Sequence, residues 1–252
     1  MEKINYEDLA RVITKAGVIL VESGAETYRV EDTMYRLCKA YGATTIDAYA
    51  TPTLLIISFT INNELYHNIK RVHLKNTNLS KIEEVNKLSR KISNQPIPLA
   101  ELEHELSSIN IQPVYKPLTI VAASGICTFG FGFFHGGRIN EAICASLIGI
   151  VIACVQNILN KYESSSFLKS FCLSFILTML ASICGIYGFC DRDVAIIASI
   201  MVLVPGVAIT NAVRDSVSGD LVSGMARTME AIIVAVAIAI GSAIALIMMG
   251  GK

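Results

Sequence analysis

The sequence predicts a multi-pass α-helical membrane protein with five transmembrane helices, preceded by a small α+β cytoplasmic domain. Three observations carry this fold class. Charge is uneven along the chain: residues 1–117 hold 14 Lys+Arg and 14 Asp+Glu, while the longer remainder holds 7 and 7. After Pro117 come five apolar stretches, about 118–137, 141–160, 167–189, 193–211 and 228–249. Each is near the roughly 20 residues that cross a bilayer as a helix. The first 112 residues instead mix helical and strand-like periodicities and would bury a modest core of their own. The expected domains are therefore 1–112, cytoplasmic, and 113–252, transmembrane.

Residues 6–22 read as an amphipathic helix, because Leu9, Val12, Ile13, Ala16, Ile19 and Leu20 recur at helical spacing. Ser23-Gly24 ends it. A second helix over about 25–41 has Val30, Met34, Leu37, Cys38 and Tyr41 on its inner face and stops at Gly42. The β-branched runs TTIDAYA and TLLIISFTI lead to Asn62-Asn63, where a hairpin turn is expected, with LYHNIKRVHL as the return strand. Helical patterns at 79–93 and 98–108 are separated by Pro96 and Pro98, and Pro113 and Pro117 mark a linker at about 110–117. Among the spans, the fourth is interrupted by Pro205-Gly206 and the fifth is the most uniformly apolar.

Several functional classes are disfavoured. There is no basic run for a nucleic-acid backbone, so no nucleic-acid partner is expected. The seven cysteines are scattered without a CxxC pair, which argues against a disulfide framework or zinc site. No GxxxxGK[ST], HExxH or GxSxG occurs, and His67, His73, His104 and His135 form no ligand set by spacing. No catalytic residue, metal or cofactor is expected, and the chain is not read as an enzyme. MEKINYEDLARVIT lacks a basic end followed by an apolar run, so no signal peptide is expected and the N-terminal domain is placed in the cytoplasm. Five spans then leave Lys161, Lys169, Arg214 and Arg227 inside, against Arg138, Arg192 and Lys252 outside, a small positive-inside bias of the right sign.

Polar residues in the apolar half single out VPGVAITNAVRDSVSGDLVSGMARTMEA, residues 204–231. Pro205 removes a backbone hydrogen bond and Gly206 eases unwinding, and broken helices of this kind can turn backbone dipoles toward a substrate. Asn211, Arg214 and Asp215 follow, and Arg214 has the forked geometry that suits a carboxylate. The bland alternative leaves Pro205 as a kink and Arg214 with Asp215 in the cytoplasmic interface. Asp220, Arg227 and Glu230 precede the fifth span, where an interfacial place is the simpler reading. In the soluble part, SGAETYRVEDTMYRLCKAYG puts Glu26, Arg29, Thr33 and Arg36 on one helix face, with Asp32 able to pair with Arg29 or Arg36. A solvated face is the alternative there.

Those residues, with TPTLLIIS, RVHLKNTNLSKIEEVNKLSR and the 204–231 segment, resemble the bacterial threonine/serine exporter family in order along the whole chain. Its motif falls on Gly24, Glu26, Arg29, Pro52, Pro205, Gly206, Asp215, Gly219, Asp220, Gly224 and Arg227. The resemblance implies a cytoplasmic domain before a five-span unit, completed by a second five-span unit that is either fused or a separate subunit. This chain is similar to the split form, whose relatives include a two-subunit succinate exporter. It implies a half-transporter in the bacterial inner membrane: one subunit of a secondary exporter for a small carboxylate-bearing solute, threonine/serine or a dicarboxylate such as succinate. The expected partners are the lipid bilayer, a second five-span membrane subunit and the small carboxylate solute; a homo-oligomer is also open. The other function carried forward is a non-transporting regulatory or partner-binding membrane subunit.

Overall fold

The computed structural model describes residues 5–73, 77–111, 115–162 and 165–250. The expected linker residue Pro113, the expected domain boundary at 112/113 and Lys252 lie outside the described residues. The chain runs α1 (Tyr6–Glu22), α2 (Thr27–Ala40), β1 (Ile46–Ala50), β2 (Leu54–Ile61), β3 (Glu64–Arg71), α3 (Leu79–Asn94) and α4 (Leu99–Ile111). It continues as α5 (Pro117–Phe134), α6 (Ile139–Leu159), α7 (Ser166–Ile186), α8 (Arg192–Ile200), α9 (Gly206–Val217) and α10 (Leu221–Met248). Two compact units result, and they do not follow chain order. Unit one joins Met1–Val114 to Val207–Thr228; unit two comprises Tyr115–Gly206 and Met229–Lys252. Residues 207–228, which the sequence assigns to the transmembrane part, thus group with the N-terminal unit.

In unit one, Asn5 caps α1 by accepting the Glu7 N–H at 3.1 Å. The apolar stripe of α1 is buried throughout. In β2 alternate residues Leu55, Ile57, Phe59 and Ile61 are buried, as expected for a strand with one face on a core. The sheet is antiparallel in the order β1-β2-β3. Its β2–β3 turn has Asn62 at φ 52° and Asn63 at φ 64°, the two left-handed residues of a type I′ hairpin. The edge strand β3 is largely exposed and carries Glu64, Lys70 and Arg71, charges that discourage further strand pairing. Leu37, Ile57, Phe59, Val85, Ile92, Leu102 and Leu106 join the α1 stripe in one core.

Unit two is a helical membrane unit. α5 and α6 pack closely through glycine: a Cβ on Gly132 would lie 2.7 Å from the Ala142 Cα, so no larger residue fits without separating the helices. Ser124 Oγ donates to the Gly149 carbonyl at 2.9 Å across the same pair. Ile148, Ile152, Leu177 and Ala195 form its core, while Ile126, Phe134, Leu147 and Ile247 are exposed. A helix surface that is apolar on both sides suits lipid.

Among the described residues, four helices, not five, are long and apolar enough to cross a membrane: α5, α6, α7 and α10. The expected fourth span, 193–211, is instead α8 and α9 with a non-helical interval at 201–205. Pro205 has no N–H to continue the ladder, and α8, with 9 residues, reaches only about 14 Å. The fifth expected span begins earlier than 228. α10 starts at Leu221, so Arg227 and Glu230 lie inside a helix of 28 residues rather than ahead of it.

Candidate functional site

The site lies within unit one, where the α1–α2 turn meets α9 and the first turns of α10. It begins with the end of α1. The Gly24 N–H donates to the Val21 carbonyl at 3.0 Å and the Ala25 N–H to the Leu20 carbonyl at 3.0 Å. Gly24 has φ +81°, the left-handed conformation this double-bonded C-cap requires. The chain then enters α2 with Glu26 at the N-cap, but the Glu26 side chain makes no capping bond.

The missing cap comes from far along the chain. Asp215 on α9 accepts the Thr27 N–H at 2.9 Å and the Thr27 hydroxyl at 3.2 Å. A carboxylate at a helix N-terminus satisfies an orphan donor and complements the helix dipole. Three more groups of the turn are met from the same hairpin. Asn211 Nδ2 donates to the Gly24 carbonyl at 2.8 Å, and an Arg227 terminal nitrogen to the Ala25 carbonyl at 2.7 Å. Arg214 donates to Glu26 Oε1 at 2.6 Å.

Two ion pairs of different character result. Arg227 Nε lies 2.9 Å from Asp215 Oδ2, with side chains 5% and 0% exposed. The contact is close, but the Nε–H is not aligned as a hydrogen bond, so charge rather than bond direction holds the pair. Glu26, 8% exposed, is shared on the rim between Arg214, which is 55% exposed, and Arg29 Nε at 3.0 Å. Burial pushes the Glu26 carboxyl up, but its own backbone N–H, the Arg214 hydrogen bond and the Arg29 and Arg214 charges outweigh this and hold it below its ordinary value.

The α9–α10 turn has the opposite electrostatics. Burial, then the Asp215 charge, pushes Asp220 up. Glu31 is also raised, by burial and by the Asp220 and Asp215 charges, although the Ala50 N–H donates to it at 2.9 Å. Pro52 occupies the adjoining β1–β2 turn, where Thr51 Oγ1 accepts the Leu54 N–H at 3.0 Å. Gly219, at φ +96°, turns the chain between α9 and α10. A Cβ on Gly224 would collide with Ser216 Oγ and meet the Ala212 carbonyl at 3.0 Å, so glycine sets the closeness of this hairpin.

The geometry thus brings together Gly24, Glu26, Arg29, Asn211, Arg214, Asp215 and Arg227, with Asp220 at the adjoining turn. Asp32 stays apart, bonded to Arg36 at 2.9 Å on the exposed face of α2, and Arg29 turns to Glu26 rather than to Asp32. Pro205 and Gly206 stand at the helix break and the start of α9, away from these pairs in sequence. Thr27 and Glu31 are participants that sequence reasoning missed. The available signal was a helix beginning at a glutamate, a poor N-cap that leaves the first N–H groups in need of another acceptor. Among the described residues, no group of three His, Cys, Asp or Glu could hold a metal ion.

Residues 11–249 match the profile of the family described as "Putative threonine/serine exporter". A probable succinate transporter subunit, YjjP, of Klebsiella aerogenes is 22% identical over 99% of this chain and 97% of its own length. The Escherichia coli K12 protein of the same name is 22% identical over 99% of this chain and 98% of its own. A threonine/serine exporter of Corynebacterium glutamicum is 25% identical over 87% of this chain but 47% of its own length. The chain therefore spans about half of that exporter and nearly all of the subunit-sized relatives. No solved structure matches.

Proposed function

The chain belongs to the threonine/serine exporter family, and from that membership we propose that it is a half-transporter. On this reading it is one subunit of a secondary exporter for a small carboxylate-bearing metabolite, threonine/serine or a dicarboxylate such as succinate. It works with a second five-span subunit, sits in the bacterial inner membrane and has no enzymatic step. The observation that carries the reading is the rim pair: an exposed guanidinium, Arg214, already holds a carboxylate, Glu26, at 2.6 Å. A solute carboxylate offers Arg214 the same kind of partner and can engage its fork bidentately, so loading is an exchange of one carboxylate for another and creates no unpaired charge.

Five crossings with the N-terminal domain in the cytoplasm fit the same reading. Residues 207–228 belong to the same compact unit as the N-terminal residues, and α5, α6 and α7 intervene in sequence. On this reading the segment from α8 through 201–205 supplies the fourth crossing and α10 the fifth. A short helix followed by non-helical backbone is the discontinuous span of many transporters, where free carbonyls and helix ends face solute or coupling ion. With no phosphate-binding loop in the sequence, an ion gradient or the solute's own gradient supplies the drive.

The test is efflux of labelled succinate, threonine and serine from cells carrying this chain with and without a five-span companion. One of the three is expected to leave faster only when both subunits are present. Arg214→Gln is expected to abolish that efflux, with Arg214→Lys keeping a minor part. Unchanged efflux of all three solutes in every strain would sink the exporter reading, and full activity of Arg214→Gln would remove Arg214 from it.

A further inference from the structure

Unit one holds a second cationic site, separate from Arg214. Between α2 and α3 runs a groove of about 220 Å³ lined by Arg29, Asp32, Thr33, Arg36, Asn86 and Arg90. This is below the roughly 300–1,000 Å³ of drug-sized pockets and is scaled to a small metabolite. Three guanidiniums from two helices face one carboxylate, Asp32, which bonds Arg36 at 2.9 Å. The Arg29 charge is shared with Glu26 behind it, at 3.0 Å. Arg90 has no carboxylate partner among the described residues, whereas neighbouring Lys87 is matched by Glu83 at 2.9 Å and Glu84 at 3.2 Å. The polar lining is also arranged for an acceptor-rich guest. Thr33 Oγ1 donates to Asn86 Oδ1 at 3.3 Å, which leaves the Asn86 amide nitrogen as a donor.

We propose that the α2–α3 groove binds a small dianion, its carboxylate or phosphate oxygens held by Arg36 and Arg90 and completed by Arg29. Guanidinium forks are suited to both oxygen sets, and two anionic ends or one doubly charged group match the two charges by which the three lining guanidiniums exceed Asp32 once Arg29 turns from Glu26. The site is wired to the α1–α2 turn. An anion that draws Arg29 toward the groove loosens its hold on Glu26, and Glu26 then bears more fully on Arg214, 2.6 Å away. Occupancy of the groove therefore tightens the internal carboxylate on the rim arginine and makes Arg214 harder to load. The groove acts as a sensor of the dianion pool on its own side of the membrane.

The experiment is isothermal titration of the purified full chain in detergent at low salt, with succinate, inorganic phosphate and threonine as separate probes. Saturable binding of succinate or of phosphate that depends on Arg36 and Arg90 is expected, whereas any threonine bound at Arg214 should be unaffected by those two residues. Succinate alone identifies a carboxylate ligand, and phosphate alone a phosphate one. Arg90→Gln should weaken that binding about tenfold, and Arg36→Gln with Arg90→Gln should abolish it. Lys70→Gln, which removes a charge from the exposed β3, should leave it unchanged, so a general surface attraction is separated from a site. Far-ultraviolet circular dichroism melts confirm that each variant is folded. The proposal is overturned if neither dianion saturates the wild-type chain, if the double variant binds as well as wild type, or if Lys70→Gln weakens binding equally. Persistence in the double variant would assign the binding to Arg214 instead. The readout is binding rather than efflux, so its failure leaves the exporter reading intact, and failure of the exporter reading leaves the groove in place.

Discussion

Asp215→Asn tests whether the α9–α10 hairpin is an integral part of the N-terminal unit. The substitution keeps an oxygen for the Thr27 N–H but removes the charge that faces Arg227 Nε at 2.9 Å. Arg227 is 5% exposed, so its charge has no water to turn to. Removing one member of a buried pair costs about 3–5 kcal/mol, because the survivor stays desolvated and unpaired. For a chain of this size each kcal/mol lowers the melting temperature by about 2–4 °C, so a drop of roughly 6–20 °C is expected. Arg227→Met should cost less, since Thr27 still supplies two donors to the carboxylate. Replacing both, Asp215→Asn with Arg227→Met, should be less damaging than Asp215→Asn alone, because no buried charge remains. Melts followed by circular dichroism on the full chain, with hydrogen exchange at the Thr27 amide as a local readout, measure the cycle. If the two single effects add within about 0.5 kcal/mol, or Thr27 exchange is unchanged in Asp215→Asn, the pair is not coupled as described and the reasoning fails.

Three further outcomes are expected. Gly24→Ala should cost about 1–2 kcal/mol, from the left-handed backbone at φ +81°, with a close contact to Thr77 Oγ1 at 3.3 Å adding to it; Gly24→Asn should cost less in the same melts, and equal losses would count against the backbone argument. Gly224→Ala should impair folding through the collision with Ser216 Oγ, and Ser216→Gly in the same chain should restore much of it; no rescue would mean the hairpin spacing is set elsewhere. Stability should rise as pH falls from neutral into the weakly acid range, because Glu31 and Asp220 have raised pKa values and their stabilising contribution is lost as pH rises through them. Below the ordinary glutamate value of 4.5 it should fall again, as Glu26, whose pKa is lowered, is protonated. A melting profile that declines steadily from neutral pH, or is unaltered by Glu31→Gln on its upper limb, would contradict that assignment.

What could be read beforehand depended on local periodicity. The α1 stripe, the alternation of β2 and the Asn62-Asn63 turn are written in neighbouring residues, and they form as read. The Pro205-Gly206 interruption is equally legible as a break in the fourth apolar run, but its extent is not: the non-helical interval covers 201–205 and leaves α8 and α9 in different compact units. Hydropathy averages over a window and cannot report a lost ladder bond. The start of α10 is hidden for the related reason that LVSGMARTME is too polar to register as a span, although it continues the helix. Within the site, the resemblance marked Glu26, Arg29, Asp215 and Arg227, which pair among themselves, but not the Thr27 and backbone groups they hold. Thr27 meets Asp215 across 188 positions, and the Gly24 and Ala25 carbonyls are backbone groups that any residue would offer. No pattern in one sequence encodes such contacts.

The two arginines of the α9–α10 hairpin divide the work by exposure. Arg227 and Asp215 are both out of water, so separating them is costly, and their pairing is best explained by what it holds: the turn at Ala25 and the cap of α2. Arg214 is 55% exposed, and an ion pair open to solvent is worth little, about 0–1 kcal/mol. Stability therefore does not account for a contact of 2.6 Å between it and Glu26. A pair of small net worth is, however, the kind that a solute can exchange cheaply, while Arg29 keeps Glu26 from being stranded when Arg214 leaves. On the exporter reading, the buried pair keeps the rim in place and the exposed pair is the one that opens.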